Sequence, residues 1–359
     1  MSKKQLNIRL TDRQKSQIKY FQEINRYETL TKYIIDASLN KIKNIHNGGF
    51  RVVTLTLNPS IDYVVNINKE FEKDIPNRFL PSDRDFMVAG KGINEAIVLN
   101  KFGINTLVLH YSGGFTGDWF KNHLDKIGLN HIQFKSQLST RINLKLNLLE
   151  KDSFESYILN EEAPVVNAIA VEKILKEIQL LQQNVILSIS GSFSNENEQL
   201  IDEIAAECFK KNVQLVFNLS HKYLLKLLKY QPYLVKISLY DLKTIFEKDF
   251  KKEKEIIDIM YQLSNSGARN ICIQKNNTFY FLTEKKTLYK SVIKNIKVIN
   301  HNGTGSSFVG AFLANLNLNS LEEQLQWALA AVAATMTSSG IADLSDIKRF
   351  YDSIKVHKI

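Results

Sequence analysis

The feature that most constrains the fold is an alternation of strand-like and helix-like segments that begins at Arg51. Short runs rich in Val, Ile, Leu and Thr predict strands at 51–57, 105–110, 185–190, 213–217 and 271–273. Apolar residues at helical spacing predict helices at 94–102, 117–127, 171–182, 196–210 and 321–335. This alternation predicts an α/β domain with a mainly parallel sheet and helices on both faces. Two polar, β-rich segments, 61–80 and 140–160, interrupt it and predict a small strand lid over a site.

The composition is that of an ordinary globular protein and argues against several other classes. Of 359 residues, 44% are hydrophobic and 23% are charged, and the length allows one large domain and an appendage. Two cysteines cannot build a disulfide framework, which favours a reduced setting. No apolar run approaches the roughly 18 residues of a membrane span, and the N-terminus lacks a signal-peptide core. We therefore expect a cytoplasmic protein with no membrane partner.

Much of the positive charge lies in the first fifty residues. They hold ten Lys or Arg and four Asp or Glu, a balance of +6 out of +10 for the whole chain. Such asymmetry suggests an anionic partner, either nucleic acid or a membrane surface, and the alternative is a solvated basic tail.

A periodic pattern in the same segment argues against a simple tail. Leu6, Ile8 and Leu10 alternate with polar residues, as in a half-buried strand. Two amphipathic helices follow, one ending near Ile24 and one running to about Ile42. A strand and two helices in residues 1–43 are too small to fold alone, so we expect pairing with a second copy. The polar segment 44–50, with its Gly pair, predicts a linker to a large domain at 51–359.

The stretch KKQLNIRLTDRQKSQIKYFQEINRYETLTKYIIDASLNKI resembles the ribbon-helix-helix DNA-binding family. In that family two strands pair across a dimer and enter the major groove of double-stranded DNA. The resemblance implies base contacts from Gln5, Asn7 and Arg9, and a phosphate contact at the helix N-terminus near Thr29. Dimerisation without DNA is the alternative.

The large domain contains five short motifs. They are Thr-Leu-Asn-Pro-Ser-Ile-Asp at 56–62, Asn-Arg at 77–78, Ala-Gly-Lys-Gly-Ile-Asn at 89–94, Gly-Gly-Phe-Thr-Gly at 113–117 and Thr-Arg-Ile-Asn at 140–143. Their order and spacing resemble the ribokinase-like (PfkB) family, in its 1-phosphofructokinase and tagatose-6-phosphate kinase branch. The match extends through Ser-Gly-Ser at 190–192 and Gly-Thr-Gly at 303–305, so it covers about 51–350. It implies a three-layer α/β sandwich with a small β lid.

The resemblance also implies a pocket for a hexose phosphate or bisphosphate. Its residues would be Asp62, Arg78, Gly90, Lys91, Asn94, Arg141 and Ser192, with an anion hole at Gly303, Thr304 and Gly305. A carboxylate such as Asp62 can accept hydrogen bonds from sugar hydroxyls, and Lys91 and Arg141 supply cations for a phosphate. In the family, Arg78 reaches the sugar phosphate from the lid of a neighbouring subunit, so a homodimer or higher oligomer is implied.

Several positions depart from the family on the side of phosphoryl transfer. Ser306 stands where the family has the aspartate that removes a proton from the attacking hydroxyl. The family's Lys-Pro-Asn-x-x-Glu is Lys-Ile-Ser-Leu-Tyr-Asp at 236–241, its Ser-Leu-Gly segment is replaced at 274–277, and an Asp is Asn218. These departures predict a pseudokinase with no catalytic residue, no metal and no required cofactor, and they make ATP and magnesium binding doubtful.

Three functions are compatible with this sequence. The main hypothesis is a transcription regulator in which the impaired kinase domain senses a sugar phosphate and the N-terminal segment binds DNA. The alternative is an active ATP-dependent hexose-phosphate kinase with an N-terminal extension, because losing a general base typically costs only about 10²–10⁴ in rate. The third is an interaction protein whose N-terminal segment pairs with another protein.

Overall fold

The computed structural model describes residues 50–67, 74–149, 154–299, 301–318 and 320–359. Phe50–Ile359 form a unit of their own. The predicted ribbon-helix-helix segment, with Gln5, Asn7, Arg9 and Thr29, lies outside the described residues, as does the linker before Phe50.

A ten-stranded sheet forms the centre of this unit, in the order β14-β13-β12-β11-β10-β9-β8-β1-β4-β5. Its strands are β1 Val52–Thr56, β4 Thr106–Gly113, β5 Asn130–Ser136, β8 Ile186–Gly191, β9 Gln214–Leu219, β10 Leu234–Ser238, β11 Asn270–Lys275, β12 Thr278–Leu282, β13 Leu288–Val292 and β14 His357–Lys358. The pairs from β5 to β11 are parallel, and the pairs from β11 to β14 are antiparallel. The sheet is therefore mixed, and every residue of β1, β4 and β8 is buried.

Ten helices are described in residues 50–359. They are α1 Lys91–Lys101, α2 Gly114–Lys126, α3 Ala168–Gln179, α4 Glu198–Lys210, α5 Leu224–Leu227, α6 Leu239–Phe246, α7 Glu253–Asn265, α8 Thr304–Ala314, α9 Leu321–Met336 and α10 Leu344–Tyr351. A large apolar core joins the sheet to α1, α8 and α9, with Phe308 and Phe312 of α8 stacked on each other and fully buried. This packing fixes the N-termini of α1 and α8 near one another.

The two polar segments that interrupt the alternation form a second sheet. Its strands are β2 Ser60–Ile67, β3 Arg84–Ala89, β6 Arg141–Leu149 and β7 Phe154–Leu159, in the order β3-β2-β6-β7. The strand β3 lies beyond the predicted lid segment 61–80, because its exposed, charged first half has no strand-like pattern. We call this four-stranded sheet the lid.

Within the described residues, no helix is both long and apolar enough to span a membrane. Cys208 and Cys272 are both buried and unpaired with each other, so the described unit holds no disulfide.

Candidate active site

A cleft of about 640 Å³ lies between the lid and the start of α1 and α8. Asp62 and Lys145 line it from the lid, and Asn94 and Gly303 line it from the two helices. The lid strand β2 follows the carboxyl end of the parallel strand β1, the edge at which open α/β sheets bind their ligands. The structure thus places three polar residues and a glycine from distant parts of the sequence around one cleft.

Asp62 is held in place on the lid by three side chains. Its Oδ1 accepts a hydrogen bond from Asn143 Nδ2 at 2.8 Å and a longer one from Ser60 Oγ at 3.3 Å. Its Oδ2 forms an ion pair with Lys145. The residues meet because β2 and β6 run parallel with Asp62 opposite Asn143. This fixes the carboxylate where a sugar hydroxyl could donate to it.

Lys145 was missing from the sequence-predicted site. A signal for it exists, because Arg141, Asn143 and Lys145 alternate along β6 and a strand of period two places them on one face. The polar face of that strand therefore supplies two cations and an amide to the cleft side of the lid.

Arg141 lies at the base of the lid with part of its guanidinium unused. Its Nη1 donates to the carbonyl of Glu161 at 3.0 Å and its Nη2 to the carbonyl of Asn58 at 3.2 Å. Its Nε is buried and has no hydrogen-bond partner among the described residues. Burial lowers the pKa of the guanidinium, while Asp62 and Glu161 act to raise it. A buried donor without a partner is costly, so this atom is a ready contact for an anionic ligand.

The start of α1 brings a glycine turn and a lysine to the cleft. Gly90, at φ +126°, precedes the helix, and a Cβ there would lie 3.3 Å from Pro59 Cα. Only glycine adopts this conformation readily and allows so close an approach. Lys91 donates to Ser220 Oγ and lies 3.5 Å from Asp241 Oδ2. The lysine therefore points to the ends of β9 and β10 rather than to the lid.

Ser192, just after the end of β8, supports the loop between β1 and β2. Its Oγ accepts a hydrogen bond from Asn58 Nδ2 at 3.0 Å. Since Arg141 also contacts the carbonyl of Asn58, this loop is tied to both the central sheet and the lid.

The residues of the predicted anion hole, Gly303 to Gly305, lie at the N-terminus of α8. Gly303 has φ +76° and caps the helix, and its carbonyl accepts from Ser307 N at 2.7 Å. Free backbone N–H groups at such a helix start bind anions. Gly305 lies against Lys236 Nζ so closely that any side chain there would displace it. The missing side chain of Gly305 thus makes room for a buried ammonium group beside the anion hole.

Lys236 is 3% exposed, and its charge is only partly compensated. Its pKa is lowered to about 8, mainly by burial and also by Lys91, against the opposing effects of Cys272, Asp241 and Glu95. Its Nζ donates to Gln274 Oε1 at 3.0 Å, and Gln274 Nε2 in turn donates to Thr304 Oγ1 at 3.3 Å. Gln274, in the segment that replaces the family's Ser-Leu-Gly, thus connects the lysine to the first residue of α8.

Asp241 keeps an acid at the end of the altered Lys-Ile-Ser-Leu-Tyr-Asp segment. It caps α6 through Ser238, whose Oγ donates to Asp241 Oδ2 at 2.6 Å. Burial alone would raise its pKa, but Lys91, Ser220 and Ser238 outweigh burial and leave the pKa below its ordinary value. A buried, ionised carboxylate between Lys91 and Lys236 is a suitable ligand for a hard cation that bridges phosphates.

Two predicted positions stand apart from this network. Ser306, at the place of the family's aspartate, is 3% exposed in the first turn of α8. Arg78 is exposed in the coil between β2 and β3 and does not line the cleft. Among the described residues, no cluster of three or more His, Cys, Asp or Glu side chains could hold a metal alone.

Three features together are typical of the small-molecule kinases that phosphorylate sugars. They are an α/β sheet, a β lid, and a helix that begins after a glycine at the cleft. Comparison with known proteins makes this specific: residues 55–348 match the model of the pfkB family carbohydrate kinases, and the chain belongs to that family.

Characterised relatives resemble the chain over nearly all of their own length. A 1-phosphofructokinase of Borreliella burgdorferi is 30% identical over 311 residues, which cover 86% of this chain and 99% of the relative. A D-tagatose-1-phosphate kinase of Bacillus licheniformis is 27% identical, covering 85% of this chain and 99% of the relative. Among solved structures, phosphofructokinase-2 of Escherichia coli with substrates and products has a TM-score of 0.76 at 22% identity, covering 84% and 99%. The predicted ribokinase-like fold is confirmed.

These comparisons overturn the main functional prediction from the sequence. The pseudokinase and DNA-binding regulator hypotheses are wrong, because the relatives that match most of the chain are named as sugar-phosphate kinases. The prediction that no cofactor is needed is wrong for the same reason, since a kinase takes its phosphoryl group from a nucleotide held with magnesium. The physical error lay in the weight given to Ser306. Phosphoryl transfer depends mostly on positioning and charge stabilisation, so the replacement of one general base is weak evidence against activity.

Proposed function

We propose that the protein phosphorylates a phosphorylated ketohexose, such as fructose 1-phosphate or tagatose 1-phosphate, with ATP and magnesium. The observation that carries this proposal is that Asp62 and Gly303 line the same cleft. The first belongs to a fixed carboxylate network on the lid, and the second starts a helix whose free N–H groups can bind a phosphoryl group.

The sugar phosphate would lie between the lid and α1. Asp62 accepts hydrogen bonds from sugar hydroxyls, and Asn94 offers an amide from the opposite wall. The phosphate ester binds at Arg141, whose free Nε supplies one donor without breaking a contact. Gly90, Lys91 and Ser192 complete the predicted set, and Arg78 would reach the same phosphate from a partner subunit.

The triphosphate would lie along the start of α8. The backbone of Gly303, Thr304 and Gly305 receives the transferred group, and Lys236 and Lys91 balance its charge. Magnesium, when bound, would offset the charge that develops on the phosphates. Asp241 suits the single carboxylate that such an ion takes from the protein.

Transfer would proceed by in-line attack. The sugar hydroxyl oxygen bonds to the γ-phosphorus while the bond from that phosphorus to the β–γ bridging oxygen breaks, and the hydroxyl proton passes to solvent. In a loose transition state the attacking oxygen carries little positive charge until late, so early proton removal contributes little. Ser306 is then a neutral lining group at the first turn of α8, and the rate depends on the lysines and the helix N-terminus.

We also propose a domain division and an assembly. Residues 1–43 form a separate small domain joined by 44–50 to the kinase domain at 51–359, which has its lid at 61–80 and 140–160 extended by β3. The lid exposes Ile142, Tyr157 and Leu159, which the strand pairing places on the face away from Lys145. An exposed apolar patch of this kind suits an interface with a second copy. One solved structure of phosphofructokinase-2 of Escherichia coli is tetrameric, with a TM-score of 0.74 and 21% identity.

The proposal is tested by steady-state kinetics of the full chain with ATP–Mg and a panel of fructose 1-phosphate, tagatose 1-phosphate and fructose 6-phosphate. We expect turnover with at least one of the three, and an Arg141→Ala variant should raise KM for it at least about tenfold through loss of a charged hydrogen bond. Arg269→Ala is the matched control, because Arg269 pairs with Glu284 just before β11 and neither residue lines the cleft. Absence of turnover with all three sugars, or equal KM values for both arginine variants, would refute the assignment.

A further inference from the structure

A carboxylate is sealed in the core directly beneath the candidate active site. Glu95 follows Asn94 on α1 and is 0% exposed. Its Oε2 accepts from Ser188 Oγ at 2.6 Å, and its Oε1 accepts from Asn218 Nδ2 at 2.7 Å. Ser190 Oγ contacts both oxygens, at 2.8 and 3.0 Å. A buried carboxylate is tolerated only where its oxygens are satisfied in this way.

The three donors lie at the ends of the strands that carry the site. Ser188 and Ser190 are on β8, whose next residues lead to Ser192 and its contact with Asn58. Asn218 is on β9, which leads to Ser220 and its contact with Lys91. The Glu95 side chain therefore joins α1 to β8 and β9 close to the cleft.

Charge links Glu95 to the same site. Burial raises the pKa of Glu95, while Asn218, Ser188, Ser190 and Lys91 act to lower it. Glu95 in turn is one of the groups that act to raise the pKa of Lys236. Lys91 and the three donors stabilise the ionised carboxylate, but burial outweighs them and leaves the pKa of Glu95 above its ordinary value. The position of Glu95 also accounts for the amide at Asn218, where the family resemblance implies an acid. Asn218 donates to the carboxylate of Glu95, so the acid at this place comes from α1 instead of β9.

We propose that Glu95 is a positioning residue of the phosphoryl-transfer site. It aligns Ser192 and Lys91, and from α1 it supplies the acidic group that Asn218 on β9 lacks. This rests on the proposed kinase function. Glu95 itself touches no substrate, because it is fully enclosed. Its effect passes through the ends of β8 and β9 and through the charge of Lys236.

The test exchanges the acid and the amide. Glu95→Gln keeps the shape and removes the charge, Asn218→Asp places two carboxylates in contact, and the double variant Glu95→Gln/Asn218→Asp restores one acid and one amide. We expect each single variant to lower kcat/KM for ATP at least about tenfold, from the loss of charged hydrogen bonds or from like-charge contact. The double variant should recover most of that loss, and the values of the three variants and the wild type form a double-mutant cycle.

A pH profile separates positioning from mere structural support. Removing a nearby negative charge makes Lys236 lose its proton more easily, so Glu95→Gln should move the alkaline limb of kcat/KM for ATP to lower pH, and the double variant should move it back. A purely structural role would lower the profile at every pH without moving the limb, and that result would overturn the proposal. Wild-type activity in Glu95→Gln would overturn it as well.

Two further measurements keep the outcome clear. Thermal unfolding shows whether each variant folds, and if Glu95→Gln does not fold, the double variant decides: folded and active supports the proposal, whereas folded and inactive refutes it. If the double variant also fails to fold, the milder Ser190→Ala, which removes one donor to Glu95, decides: a loss of kcat/KM for ATP supports the proposal, and wild-type kcat/KM refutes it. Calorimetry with fructose 1-phosphate needs no turnover, and weaker binding by Glu95→Gln than by the double variant is expected even if the wild type proves inactive. Equal binding by both would count against Glu95 while leaving the kinase assignment intact.

Discussion

Lys236 shows how the surroundings of one residue set its chemistry. Its pKa, lowered by burial to about 8 from an ordinary value of 10.5, means that the ammonium loses its proton as the pH rises through about 8. Because the charged form is the one that attracts phosphates, kcat/KM for ATP should fall as the pH rises through that value. The profile of kcat should hold to higher pH, since bound phosphates favour the protonated lysine.

This prediction is checked by pH profiles of the wild type and Lys236→Arg between about pH 6 and 10, where the arginine stays charged. We expect the variant to have lower activity at neutral pH, because the guanidinium is larger than the space beside Gly305, but to show no loss near pH 8. Identical alkaline limbs in the two proteins would mean that another group is responsible.

At the scale of elements, β4, β5 and α2 are joined by a chain of side chains that runs from the core to the exposed Asp125. His110 Nε2 and His131 Nδ1 lie 3.1 Å apart, His131 Nε2 lies 3.1 Å from Asp125 Oδ1, and His110 Nδ1 lies 3.0 Å from Ser112 Oγ. His110 is 0% exposed, and burial, with help from His131 and Lys121, lowers its pKa from 6.5 to about 3. The chain therefore holds one neutral imidazole in the core.

This imidazole should make the fold sensitive to acid. Between about pH 6.5 and 3 the unfolded chain binds a proton at this histidine that the folded chain does not, so stability falls as the pH is lowered through that window. The slope from one such group is at most about 1.4 kcal/mol per pH unit. Urea unfolding at several pH values should show a flatter dependence for His110→Gln than for the wild type. The exposed His357→Gln serves as the control and should keep the wild-type slope.

The same scale shows which elements the sequence could predict. Helices such as α4 and α9 were predicted to within a few residues, because apolar residues recur at helical spacing along one face. The strands β3 and β12 to β14 were not predicted, since pairing with neighbours rather than local pattern makes them strands. In the site, motif order led to Asp62, Asn94 and Gly303, which the structure places at one cleft, and their binding roles stay predictions. Glu95 could not be found this way, because its partners lie more than 90 residues away.

For the whole molecule, the division between the N-terminal segment and the kinase unit carries the last prediction. The family match begins at residue 55, and relatives match over 98–100% of their own length while covering 84–86% of this chain. Residues 50–359 form a unit of their own with its own core and cleft.

A protein lacking residues 1–49 should therefore fold, and should keep kcat and KM within about threefold of the full chain, as expected for removal of a segment that is independent of the site. Circular dichroism would establish folding, and the kinase assay with ATP–Mg and the preferred ketohexose phosphate would give the constants. A folded truncated protein with activity reduced by more than tenfold would show that the N-terminal segment contributes to the active site or to the assembly that completes it.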